Sequence, residues 1–160
     1  MTAVNWARFE ADAGPLAGAG KRLLVGEDGI AIAMIATVAR DGHPRMAAVC
    51  PIFAGDGLYL SAGAKTPKRF DLHNDGRFVL HAFLGENDEE FQISGSAIAV
   101  TRAGEIAEVH AATRFTFQAD DPVFHLLLER CLWGYWEKVG QPGTFAVRKR
   151  WSCGDQSTNV

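Results

Sequence analysis

Between Leu58 and Leu72 the chain gathers two hydroxyls and three cations around a run of small residues: Ser61, then Ala62-Gly63-Ala64, then Lys65-Thr66-Pro67-Lys68-Arg69. Thr66 suits a helix N-cap and Pro67 the first helical position, so a helix should begin there and end at Asn74-Asp75-Gly76. The first turn of a helix has unpaired N–H groups and a partial positive charge, which together favour a phosphate. Ser61 and Thr66 can donate hydrogen bonds, Lys65 and Lys68 supply charge, and the small residues let an anion approach the backbone. A capped surface helix with solvated lysines has the same composition, and on this segment alone both readings stand. Upstream, Arg45 opens a strand from which a guanidinium can reach the same site.

The elements that would position these groups are legible from period and punctuation. Residues from Asn5 to about Gly26 form one or two short helices broken at Gly14-Pro15, and Glu27-Asp28-Gly29 is a turn. Ile30 to Val38 alternates with period two and is apolar on both faces, which predicts a strand buried on both sides. Asp41-Gly42 predicts a two-residue hairpin turn into a second strand, Arg45 to Phe53, and Gly55-Asp56-Gly57 turns into a third, Leu58 to Ser61. After the helix come strands at Arg77–Leu84 and Glu90–Thr101, the latter with Gly95 marking a bulge or bend. Gly104 to Phe117 reads as a helix. Val123 to Trp136 is ambiguous, with strand favoured for Phe124 to Leu132, and Phe145 to Trp151 is a last strand. Six or more short antiparallel strands with few helices predict a mainly β barrel.

In this order the pieces resemble the pyridoxamine-5'-phosphate-oxidase-like FMN-binding split barrels. The resemblance rests on the strand with Arg45, on Leu58-Tyr59-Leu60-Ser61, on Thr66-Pro67-Lys68 with Leu72 four residues later, on Asp75-Gly76-Arg77, and on Phe91-Gln92-Ile93-Ser94-Gly95-Ser96-Ala97. It implies a six-stranded antiparallel split β-barrel of Greek-key type with a few short helices. It also implies a homodimer with FMN at the interface, and oxidation or reduction of a small molecule. Arg45, Thr66 and Lys68 match the positions that hold the flavin phosphate, with Lys65 and Ser61 beside them. Val49, Cys50, Pro51 and Ser61 match the strands flanking the ring. Cys50 stands where pyridoxamine-phosphate oxidases carry a cofactor-holding lysine, so a divergent reductase or oxidase is expected rather than a vitamin B6 oxidase. Relatives of this shape also use a deazaflavin coenzyme, whose acidic tail Lys65, Arg69, Arg148 and Arg150 would suit, and others bind haem. A binding protein that holds flavin without turnover is the alternative of a different class. The C-terminal strand of such dimers comes near the partner's flavin, which offers Trp133, Arg148 and Arg150 as substrate contacts.

Composition narrows the remaining classes. The 160 residues suit a single domain over 1–160, divided into an N-terminal helical segment (1–28), a core barrel (30–101) and a helix with C-terminal strands (102–160). A net charge of −3 argues against general attraction to nucleic acid, and two short basic clusters on that background point to a small anion or to a solvated surface. No apolar run is long enough to span a bilayer, and Met1 to Ala13 lacks the form of a secretory signal, so a cytoplasmic protein is expected. Cys50, Cys131 and Cys153 lie far apart, and His43, His73, His81, His110 and His125 lack ligand spacing, so no metal is expected. The aromatics Trp133, Tyr135, Trp136 and Trp151 suit a core or subunit interface as well as a ligand wall.

Overall fold

Pro51 has no N–H to give a sheet ladder, and the strand expected from Arg45 to Phe53 breaks at Cys50-Pro51. A computed structural model describes residues 2–154; Met1 and 155–160, the outermost residues of the expected domain, lie outside the described residues. Its strands are β1 (Ala33–Val38), β2 (Pro44–Val49), β3 (Ile52–Ala54), β4 (Gly57–Ser61), β5 (Arg77–Ala82), β6 (Glu90–Ala99), β7 (Val123–Glu137) and β8 (Phe145–Ser152). The helices are α1 (Trp6–Asp12), α2 (Gly14–Leu24), α3 (Pro67–Asn74) and α4 (Ala103–Ala111). The sheet is antiparallel, in the order β2-β1-β5-β6-β7-β4-β3, with β8 also paired to β7.

The mainly β, antiparallel reading holds, with eight strands rather than six. The break adds one by dividing an expected strand: β2 pairs only with β1 and β3 only with β4, so Cys50-Pro51 carries the chain from one edge of the sheet to the other. That crossing replaces the expected three-strand meander with two separate hairpins. The first hairpin has a three-residue loop, Arg40-Asp41-Gly42, closed by Ala39 N–H on the His43 carbonyl. Only Gly42 takes a positive φ there, as a type I turn followed by a left-handed residue requires.

The ambiguity of Val123–Trp136 has a physical cause. The register of β6 with β7 passes from Ser94↔Arg130 to Gly95↔Leu128, so Glu129 is an extra residue in β7. Buried positions accordingly run Phe124, Leu126, Leu128 and then Cys131, and the period-two signal changes phase midway. Gly95 makes the bulge possible: a Cβ there would lie 1.9 Å from the Leu127 carbonyl oxygen.

α1 and α2 pack across the barrel, with Gly20 against the Phe91 ring and Trp6 and Phe9 against Phe53 and Trp151. The inner face of β1 (Ala33, Ile35, Thr37) is buried, but its outer face is only half covered and Ile32 is exposed, contrary to the expectation of burial on both sides. α4 is shorter than the expected Gly104–Phe117 helix. Val109 and Ile106 cover Ile52, Tyr59 and Val123, and beyond Ala111 the chain extends, with Phe117 stacked on His110 at 4.2 Å between ring centroids. No helix among the described residues is long and apolar enough to cross a membrane.

Candidate functional site

The break at Cys50 opens a cavity of about 360 Å³ where the two edges of the sheet face each other. β2 contributes Ala48 and Val49, the break Cys50, β3 Ile52, and β4 Leu60 and Ser61. Lys68 enters from the first turn of α3, the chain after α4 adds Phe115 and Phe117, and Asp121 reaches the loop before α3 at the Ala64 N–H. The walls are therefore largely apolar, and the polar groups among them are the Lys68 ammonium, the Ser61 and Thr116 hydroxyls and the Asp121 carboxylate. Burial raises the Cys50 thiol above its ordinary range, so it stands in the wall as a neutral group. Among the described residues, no carboxylate forms an ion pair with Lys68.

The loop before α3 is bonded internally. Thr66 is the N-cap residue by position, yet its hydroxyl donates to the Gly63 carbonyl at 2.8 Å and caps no helix N–H. Arg69 donates to the Ala64 carbonyl at 3.1 Å. The Asp121 carboxylate accepts the Ala64 N–H with one oxygen and the Gln118 N–H with the other, each at 3.0 Å. One backbone N–H of the small-residue loop is thus held by a carboxylate of the chain itself.

The expected site residues divide accordingly. Val49, Cys50, Ser61 and Lys68 come together around the cavity, while Arg45, Lys65 and Thr66 are not among its lining residues. Arg45 points its Nε at Asp71 of α3, 2.9 Å away, and the Thr37 hydroxyl donates to the same oxygen at 2.8 Å. Asp71 is buried, so this pair fastens α3 to the β1–β2 hairpin. Lys65 is exposed. Pro51 faces a second, larger cavity on the other side of the break.

Trp133, Arg148 and Arg150 line neither cavity. The Trp133 indole N–H donates to Glu89 at 2.8 Å, Lys149 lies over its ring, and Arg148 is 3.8 Å from Glu90. The residues that sequence reasoning missed are Phe115, Phe117 and Asp121. Phe115-x-Phe117 is a period-two signal, hidden because the helical reading was carried through it.

No protein-family model matches the sequence, and no curated protein matches it. Solved structures do. PhzG from Burkholderia lata 383, in complex with tetrahydrophenazine-1-carboxylic acid, superposes with a TM-score of 0.58 at 14% identity, over 87% of this chain and 83% of that one. A protein named for pyridoxamine 5'-phosphate oxidase, from Listeria innocua, gives 0.52 at 16% identity, over 62% and 85%. The chain has the split-barrel fold of the pyridoxamine-phosphate-oxidase-like proteins. A heme binding protein from Mycobacterium smegmatis gives 0.55 at 21% identity over 72% of this chain, and the match spans about half of that protein's length, 52%. In this split barrel the first cavity lies where the sheet fails to close, at the crossing from β2 to β3.

Proposed function

We propose that the chain is a flavin-dependent oxidoreductase that holds FMN in the first cavity. The observation that carries this reading is that Lys68 and Ser61 line a cavity whose other walls are mostly apolar, with Thr116 and Asp121 the exceptions. Such a site suits a planar ring with a phosphorylated tail. Gly63 supports the fit: a Cβ there would come within 3.2 Å of Thr66 Cγ2 and 4.0 Å of Asp121 Oδ1, so its absence leaves the loop approachable. Lys68 would supply the charge for the phosphate and Ser61 a hydrogen bond to the tail, with Val49, Cys50 and Ile52 against the ring. When bound, the flavin supplies reversible hydride or electron transfer with a small molecule. The protein's part is binding, orientation and exclusion of water. The deazaflavin alternative draws less support, because Arg69 is bonded to the Ala64 carbonyl and Arg148 and Arg150 sit apart from the cavity on β8.

The test is direct. Purified protein should be yellow, and mass spectrometry of the released ligand should give FMN. Lys68→Ala should weaken FMN binding by about 10- to 100-fold, the range of one charge-assisted contact. Wild-type affinity in that variant, or a released ligand that is not a flavin, would overturn the assignment. Reduction of the bound flavin by NADH or NADPH, followed by reoxidation with an acceptor, separates an enzyme from a carrier.

The reading includes a homodimer that completes the cavity. Its support is the outer face of β2-β1-β5, where Met34, Met46 and Val79 line an apolar hollow and Met46 is 68% exposed. Ile32, on the same strand path, is also part of the first cavity's wall. A charge in the middle of an apolar interface is strongly disfavoured, so Met46→Glu should turn a dimer into a monomer in light-scattering chromatography without unfolding it. A wild-type protein that elutes as a monomer at all concentrations would refute this part alone.

A further inference from the structure

The second cavity, about 740 Å³, lies between α2, the turn after it, the β2–β3 break and the chain leaving α4. Its volume is within the range of small-molecule sites. Val25, Ile30, Ile52, Phe53 and Phe115 give it apolar walls. Three cations border it, and two have partners: Lys21 lies 3.1 Å from Glu10 in an exposed pair and over the Phe53 ring, and Arg22 makes two hydrogen bonds with Glu89. Arg114 forms no ion pair among the described residues and is exposed at the rim. The Asp28 carboxylate accepts the Ile30 N–H at 3.0 Å and so serves its own turn.

Consecutive residues connect the two cavities. Cys50 lines the first, Pro51 lines the second, and Ile52 and Phe115 line both. A ligand in the second would therefore lie next to one in the first, both against Ile52 and Phe115. We infer that the second cavity binds a small planar carboxylate, its ring between Phe53 and Phe115 and its anionic group on Arg114. Its role as the substrate of the redox reaction rests on the flavin reading; its binding does not. Phenyl walls favour aromatic rings through offset or edge contacts, and a guanidinium meets a carboxylate with two parallel hydrogen bonds.

The full chain, with and without added FMN, is titrated by calorimetry with 2-naphthoate and with its neutral analogue 2-naphthylmethanol. The expected result is that naphthoate binds at least tenfold more tightly than the alcohol. Arg114→Ala should remove that preference and leave the alcohol unchanged. Arg114→Lys should recover part of it. Ala112→Trp, a substitution at an exposed rim position, should block both probes, while Lys68→Ala should bind naphthoate as the wild type does. Equal binding of the two probes, unchanged naphthoate affinity in Arg114→Ala, or loss in Lys68→Ala instead would overturn the inference. FMN titrated into the same proteins is read separately. A chain that binds naphthoate on Arg114 but takes no FMN refutes the flavin reading and keeps the second site.

Discussion

The two cavities that meet at Cys50-Pro51-Ile52 each have several cations in or beside them, and in each some are taken up by partners within the described chain. Around the first, Arg45 is held by Asp71 and Arg69 by the Ala64 carbonyl, which leaves Lys68 in the wall and Lys65 exposed beside it. Around the second, Lys21 and Arg22 are held by Glu10 and Glu89, which leaves Arg114. They differ in where their carboxylates point. Asp28 is turned into its own turn, whereas Asp121 sits in the first cavity on a backbone N–H that an incoming anion would seek. A count of basic residues therefore says little about an anion site; what matters is which charges remain after the chain has paired its own.

The largest expected effect concerns the wall the cavities share. Phe115 extends from α4, and α4 is fastened by the Tyr59 hydroxyl donating to Glu105 at 3.1 Å, with the His125 ring stacked on Tyr59. Burial and then the hydrogen bond to Glu105 push the Tyr59 phenol up to about 12. Because its folded value lies above the unfolded one, the stabilisation is complete below the unfolded value near 10 and is lost as pH rises toward 12. The loss is on the order of 2–3 kcal/mol. Denaturant titrations from pH 9 to 12 should show this decline in the wild type and a flatter curve in Tyr59→Phe. Parallel curves would place the alkaline weakness elsewhere and detach Tyr59 from the wall.

Arg45 and Lys68 separate the paired cation from the free one. Arg45→Ala leaves the buried Asp71 with only the Thr37 hydroxyl. Because the guanidinium is nearly half exposed, the cost should be about 1–2 kcal/mol in urea unfolding rather than the larger value of a fully buried pair. Its FMN affinity should stay within threefold of wild type. Lys68→Ala should do the reverse. If Arg45→Ala matches Lys68→Ala in lost FMN affinity, the division between paired and free cations fails.

The sequence made the strands legible wherever period two ran unbroken, as in β1, β5 and β6, and α3 where Thr66-Pro67 and Asp75-Gly76 punctuate it. It misled where a local signal had a long-range cause. Nothing local says that β2 and β3 belong to opposite edges, although Pro51 marks the place. The Glu129 bulge erased the period of β7, and beyond α4 the Phe115 N–H turns to the Thr113 hydroxyl while Phe117 stacks on His110. The candidate site was half legible for the same reason. Val49, Cys50, Ser61 and Lys68 converge through strand order, while the partners that take up Arg45 and Arg69 belong to tertiary packing that no spacing rule contains.

The smallest effect bears most closely on the difference between the cavities. Asp121 is the one carboxylate among the first cavity's described lining residues, and it faces the end at which Lys68 would meet a phosphate. Asp121→Asn removes the charge at constant size. One side-chain oxygen remains for the Ala64 N–H, and the Gln118 N–H, on an exposed residue, can turn to water. With like-charge repulsion gone, FMN should bind about three- to tenfold more tightly, roughly 0.7–1.4 kcal/mol, and the gain should shrink in high salt. Naphthoate in the second cavity should be unaffected, because Asp121 does not line it. A tenfold loss of FMN affinity would assign Asp121 the opposite role, as the brace that holds the loop open for the phosphate. The two cavities would then differ in rigidity rather than in charge.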